Sequence, residues 1–244
     1  MKYSVIIPTM WVPNTFNIQL MDMCICPEIS EIIIINNKVD STPNYSILSD
    51  PKIRMINQES NIYVNPAWNL GVSLATNEFI CLLNDDILFD TSVFDFLSDK
   101  FSDTIGMFAI NMYDNSSTLH LTRAERVVAG FGCMMFFHKN SYVPIPDPLK
   151  IMYGDNFMFH EMGEFSNKEI LLINGVSNNR VTSITCHTLQ DSDDVATLRT
   201  NNPDSISSIE FRYWKQYITS NHVLRSHYSD SLIDIKPCHI YIGL

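Results

Sequence analysis

Four consecutive isoleucines, Ile32-Ile33-Ile34-Ile35, follow Glu31 and stop at Asn36-Asn37. A strand with one wet face alternates apolar and polar residues. A run that is apolar at every position has both faces covered, the mark of a parallel sheet layered between helices. The pattern recurs upstream in Val5-Ile6-Ile7, within a strand over Tyr3-Ser4-Val5-Ile6-Ile7 stopped by Pro8. It recurs downstream in Phe79 to Leu83, within a strand over Glu78 to Leu83 stopped by Asn84-Asp85-Asp86. A shorter apolar strand spans Lys52 to Ile56. Between the strands lie helix signals. Asn14 can cap a helix running to Met23, with Pro27 beyond it, and Asn65-Pro66 opens a helix to about Thr76. Strand and helix alternate through the first ~90 residues, the signature of an α/β fold.

Beyond that point the rhythm loosens. Thr91 to Lys100 reads as a helix and Ile105 to Met112 as a strand. Arg126 to Phe137 is apolar and interrupted by glycine. Asp155 to Met162 reads as a short helix, and Ile170 to Ile173 and Val181 to Cys186 as strands. Ser205 to Thr219 reads as an amphipathic helix, with Ile206, Ile209, Tyr213 and Tyr217 at helical spacing.

Composition narrows the partners. The 244 residues carry a formal charge of −11, so nonspecific attraction to nucleic acid or an anionic membrane is not expected. Six cysteines sit mostly in apolar runs, and the one close pair, Cys24 and Cys26, has no second pair to complete a zinc pattern. They read as reduced core thiols. No apolar run reaches the ~20 residues of a membrane span, and no leader-like segment opens the chain. The expectation is a soluble cytoplasmic protein.

The acidic stop is the first candidate site. Adjacent carboxylates at a buried strand's end suit Mg²⁺ or Mn²⁺ held together with substrate phosphates. Open α/β sheets bind ligands at such strand ends. A capped turn is the alternative for the same three residues. No Gly-x-Gly-x-x-Gly follows the first strand, and no phosphate loop of the Gly-x-x-x-x-Gly-Lys type exists. A bound diphosphate therefore needs another counter-charge, which a metal ion on Asp85 and Asp86 can supply. Asn36-Asn37 can read a nucleobase edge through amide donors and acceptors, or can form an ordinary turn.

Taken in order, these segments resemble a known family. They are Ser4 to Thr9 with its Pro-Thr end, Ile32 to Asn37, Asn61-Ile-Tyr-Val-Asn65-Pro-Ala-Trp-Asn69-Leu-Gly71-Val-Ser-Leu-Ala75, and Phe79 to Asp86. Their order and spacing resemble the first half of a family-2 type glycosyltransferase of the GT-A fold, over about residues 3–90. The resemblance implies a Rossmann-like, mostly parallel central sheet flanked by helices, with a looser acceptor-side second half. It implies a catalytic domain over residues 1–190, with a nucleotide-binding half (1–90) and an acceptor half (91–190). Residues 191–244 would be a helical extension packed on the same domain. It also implies a metal-dependent, inverting transfer of a sugar from a nucleoside-diphosphate donor to a glycan or other acceptor hydroxyl, with Mn²⁺ or Mg²⁺.

The residue roles come from the same resemblance. Asp85 and Asp86 would contact the donor ribose and the metal, with Asn84 at the first position of the Asp-x-Asp element. Thr9, Asn36, Asn37 and Asn69 would lie on the donor side. Tyr63 and Asn77 stand where the family commonly has glycine, and the family's usual acid near Asn36 or Asn37 is missing. Gly130-Phe-Gly-Cys-Met-Met135 resembles the small-residue strand beneath sugar and acceptor, or is an ordinary core strand with a bulge. Asp155, in Tyr153-Gly154-Asp155-Asn156, matches the family's catalytic base, with Glu161 and Glu164 as rivals and a plain helix cap as the alternative. His187 matches a histidine near the metal or diphosphate. Gln190 to Asp194 reads as a lid or a solvated acidic loop. His120, Arg123 and Arg126 offer positive charge, or are plain surface.

Two rival functions keep the same fold. A sugar nucleotidyltransferase usually has a basic, glycine-rich loop near the first strand, and Pro8 to Pro13 is not one. A catalytically degenerate nucleotide- or glycan-binding protein would account for asparagine at positions 36, 37 and 84.

Overall fold

The computed structural model describes residues 1–38, 43–112, 114, 116–128, 130–176, 204 and 206–221. Among these residues eight strands form one sheet: β1 (Tyr3–Thr9), β2 (Ile29–Asn36), β3 (Ile53–Asn57), β4 (Phe79–Leu83), β5 (Ile105–Ile110), β6 (His120–Arg123), β7 (Met134–His138) and β8 (Glu169–Asn174). Five α-helices accompany them among the described residues: α1 (Phe16–Ile25), α2 (Val64–Leu74), α3 (Ser92–Phe96), α4 (Gly154–Phe159) and α5 (Ile206–Ser220). The strand order is β3-β2-β1-β4-β7-β5-β8-β6. Strands β3, β2, β1 and β4 run parallel, and β7 is antiparallel to both β4 and β5. Strand β8 returns parallel to β5, and β6 closes the edge antiparallel to β8.

The isoleucine run explains the layering. Ile33 and Ile35 enter one apolar core with Trp68 of α2 and Trp214 of α5. Ile32 and Ile34 enter the other, with Phe16 and Leu20 of α1 and Phe94 of α3. All four are 0% exposed. At roughly 1.5–3 kcal/mol for each fully buried side chain, this strand needs helices on both sides.

The structure shifts several expected boundaries. Strand β1 does not stop at Pro8 but continues to Thr9, pairing Pro8 with Ile35 and Thr9 with Asn36. The β4 pairing ends at Ile6–Leu82, so Pro8, which has no N–H to give, lies past it. Helix α1 begins after Thr15 rather than Asn14, with no side-chain cap. Helix α2 begins two residues early, at Val64 rather than Pro66, with Tyr63 in place of Asn65 as the capping residue, which leaves Asn65 inside it. Strand β6 has no counterpart among the expected elements. It is short and largely exposed, so it lacks the apolar run that marks the other strands. In α5 the buried stripe is Glu210, Trp214 and Ile218, whereas Ile209 is 39% exposed. The stripe follows tertiary contacts, not residue hydrophobicity. The strand expected at Val181 to Cys186, His187 and the Gln190 to Asp194 segment lie outside the described residues. No described helix is long and apolar enough to cross a membrane.

Candidate functional site

Strand polarity gathers the first group of residues. Strand β1 has β2 on one side and β4 on the other, and all three point the same way. Thr9, Asn36 and the Asn84-Asp85-Asp86 stop therefore share one edge, where the strand order reverses direction. Thr9 Oγ1 donates to Asp85 Oδ2 at 2.6 Å, joining residues 76 apart in sequence. The same hydroxyl accepts the Trp11 N–H at 2.8 Å. Asp86 is fully buried and Asp85 is partly buried. Burial pushes the Asp85 carboxyl up to about 6; the Thr9 hydrogen bond pulls against it, and the neighbouring Asp86 adds to it. Two adjacent carboxylates with one held this high resist double ionisation, and a divalent cation removes that resistance.

The asparagines are committed differently from each other. Asn36 Oδ1 accepts from Trp11 Nε1 at 2.8 Å and from the Lys38 N–H at 3.1 Å, while its Nδ2 donates to Asn57 Oδ1 at 2.9 Å. Asn37 Nδ2 donates to the Tyr63 carbonyl and its Oδ1 accepts the Ile62 N–H, both at 3.3 Å. These amides shape the loops around the strand ends. Asn69 faces elsewhere: it donates to the Ile145 carbonyl at 2.8 Å and accepts from Tyr142 Oη at 2.6 Å and the Ile145 N–H at 2.9 Å. It ties α2 to the 142–145 segment.

Trp11 is the residue that sequence reading missed. It adopts φ 58°, unusual for a bulky side chain, and its ring lies 5.6 Å from Phe16 and 6.3 Å from Tyr45. An aromatic two residues past a Pro-Thr strand end was the available signal. Tyr63 has φ 68°. The position where the family commonly has glycine thus does take a backbone that favours glycine. The Asn37 amide and an Asn61 Oδ1 bond to the Tyr63 N–H (2.8 Å) hold it there. Asn77 has no positive φ; its amide bonds Ser4 Oγ at 2.9 Å.

A second group adjoins the first. Because β7 runs antiparallel to β4, its start lies beside the acidic stop, with Leu83 opposite Met134. The Asn84 N–H donates to the Cys133 carbonyl at 2.9 Å. The preceding turn, Gly130 to Cys133, packs on Asp155. A Cβ placed on Gly132 would lie 2.9 Å from Asp155 Oδ2. Asp155 is 9% exposed, and burial raises its carboxyl above the ordinary range against backbone hydrogen bonds that lower it. Its Oδ1 accepts the Asn156 N–H at 2.9 Å. The rivals are engaged elsewhere: Glu161 accepts from Tyr217 Oη at 2.8 Å, and Glu164 pairs with His160 Nδ1 at 3.0 Å. His120 and Arg123 lie on β6, four strands from β4, so roughly 19 Å away at ~4.8 Å per strand. Arg126 is exposed.

Among the described residues no group of three or more His, Cys, Asp and Glu forms a metal-binding cluster. Asp85 and Asp86 still suit a divalent ion of the magnesium kind, which takes one or two carboxylates and completes its shell with water and substrate phosphates.

No protein-family model matches this chain, and no curated protein matches it. Solved structures do. The 1–349 segment of S. aureus TarS is similar at TM-score 0.51 and 14% identity, over 92% of this chain and 75% of that one. Its complex with UDP is similar at TM-score 0.53 and 14% identity, over 90% and 72%. The complex with UDP-GlcNAc is similar at TM-score 0.52 and 12% identity, over 90% and 73%. The likeness is one of fold. The expected architecture, a mostly parallel α/β sheet flanked by helices, is the one observed.

Proposed function

We propose that this protein is a nucleotide-sugar-dependent glycosyltransferase that works by inversion with a divalent metal ion. The observation that carries the reading is the juxtaposition of two acidic groups at one sheet edge. Asp85 and Asp86 stand at the strand-order reversal, and Asp155 is buried against the turn whose Cys133 carbonyl holds Asn84. Neighbours of the same fold solved with UDP and UDP-GlcNAc support a nucleoside-diphosphate sugar as donor.

In this reading Asp85 and Asp86 hold Mn²⁺ or Mg²⁺, which when bound offsets the charge of the donor diphosphate. Thr9 fixes the Asp85 carboxylate through its 2.6 Å bond. The Trp11 ring, braced by Asn36, offers a flat face on which a nucleobase can stack. Asp155 accepts the proton of the acceptor hydroxyl as that oxygen attacks the anomeric carbon from the side opposite the diphosphate. Burial raises the affinity of Asp155 for that proton, which suits a general base. Gly132 leaves the carboxylate room beside the backbone. His187 is assigned to the leaving diphosphate from the family resemblance alone.

The test is release of UDP from a panel of UDP-sugars with Mn²⁺. Asp86→Ala is expected to abolish it, and Asp155→Asn to remove transfer while donor binding persists. Full activity in either variant would sink the role given to that residue.

A further inference from the structure

The loop that delivers Asp155 is held by a carboxylate from far along the chain. Glu210 of α5 is 0% exposed. Its Oε1 accepts three consecutive backbone N–H groups: Lys150 at 2.6 Å, Ile151 at 2.5 Å and Met152 at 3.0 Å. Its Oε2 is buried with no hydrogen-bond partner among the described residues. Burying a carboxylate costs several kcal/mol unless its bonds compensate, and here all of them go to one short stretch of backbone.

The rest of that stretch has little freedom. Asn65 donates its N–H to the Lys150 carbonyl at 3.0 Å and its amide to the Leu149 and Met152 carbonyls at 3.3 Å. Tyr153 takes a left-handed backbone, φ 62° and ψ 3°, with its ring stacked on Trp214 of α5 at 5.3 Å and 12°. Such a conformation persists only where surroundings over-determine it. At Gly154 a Cβ would collide with the Asn65 side chain. Asp155 follows directly. Past it, Tyr217 of α5 packs on Phe157 and bonds Glu161. Helix α5 therefore grips the α4 segment on both sides of Asp155.

We propose that Glu210 is a positioning residue for Asp155, setting the path of residues 150–154 so that the carboxylate meets the acceptor hydroxyl. The proposal rests on the reading of Asp155 as the base. It concerns the chemical step and not donor binding, since none of the Glu210 bonds reaches β1, β2 or β4.

The test compares the full chain with Glu210→Ala and Glu210→Gln. In Glu210→Ala, kcat is expected to fall on the order of 30- to 100-fold, as for a misplaced reacting group. Donor KM and UDP affinity should stay within about threefold. Amide exchange at 150–152 should accelerate by about tenfold or more while β1 and β4 amides stay protected. Glu210→Gln keeps an acceptor oxygen and should recover most of the lost rate. The proposal is overturned by a kcat within about threefold of wild type. It is equally overturned if UDP affinity and β1 protection collapse together with kcat, or if Gln rescues nothing. If the wild-type chain transfers no sugar, the function assigned above fails instead. Unchanged exchange at 150–152 in Glu210→Ala would then still reject the clamp, and faster exchange confined there would support it.

Discussion

Asp85→Asn should make the protein more stable and less able to bind its donor. In the folded chain the Asp85 carboxyl keeps its proton up to about pH 6, whereas its ordinary value is 3.8. The folded state therefore binds the extra proton between these values, and ionising Asp85 above pH 6 weakens folding. At about 1.4 kcal/mol per tenfold the full penalty is about 3 kcal/mol. Partial exposure of Asp85 reduces this, to on the order of 1–3 kcal/mol. The penalty is fully present above pH 6, is about half gone near pH 5, and is absent well below the unfolded value. Asparagine removes the charge but keeps an oxygen for the Thr9 hydroxyl. The variant should gain on the order of 1–3 kcal/mol at pH 8, raising Tm by roughly 2–4 °C per kcal/mol, and the gain should vanish as pH falls towards 4. Urea unfolding of both proteins from pH 4 to 8 measures the difference directly. Addition of Mn²⁺ with UDP should then stabilise wild type much more than the variant. A variant less stable than wild type at pH 8, or a difference flat across this range, would refute the argument.

Other perturbations test the neighbouring parts. Asn36→Ala removes the acceptor of Trp11 Nε1 and the donor to Asn57; unfolding should become easier by roughly 1–3 kcal/mol and UDP affinity should fall, read by urea midpoint and titration. Gly132→Ala places a methyl 2.9 Å from Asp155 Oδ2; kcat should fall on the order of 100-fold with donor affinity kept, and a normal kcat would refute the contact. Gly71→Ala drives a methyl into Ile6; the cost of overpacking, roughly 1–3 kcal/mol, should exceed the ~1 kcal/mol gained in helix propensity, so the urea midpoint should drop.

The sequence by itself determined the layers and the first half of the sheet. Ile32 to Ile35 and Val5 to Ile7 are apolar at every position, and that pattern is local, so burial on both faces could be read before any contact was known. The acidic stop after β4 was legible for the same reason, as a break in a run. Tertiary structure decided what those residues touch. The Thr9–Asp85 bond spans 76 residues and the Glu210 clamp spans about 60. No periodicity encodes a partner at such distance. Asn69 and Asn36 look alike in sequence, yet one ties α2 to residues 142–145 and the other braces Trp11. Strand β6 and the buried stripe of α5 escaped a reading of hydrophobicity because an edge strand carries little of it, and because a carboxylate, Glu210, occupies a fully buried position of that helix. A chain writes its burial into its own order of residues; the pairing of its polar groups is fixed only when distant segments meet.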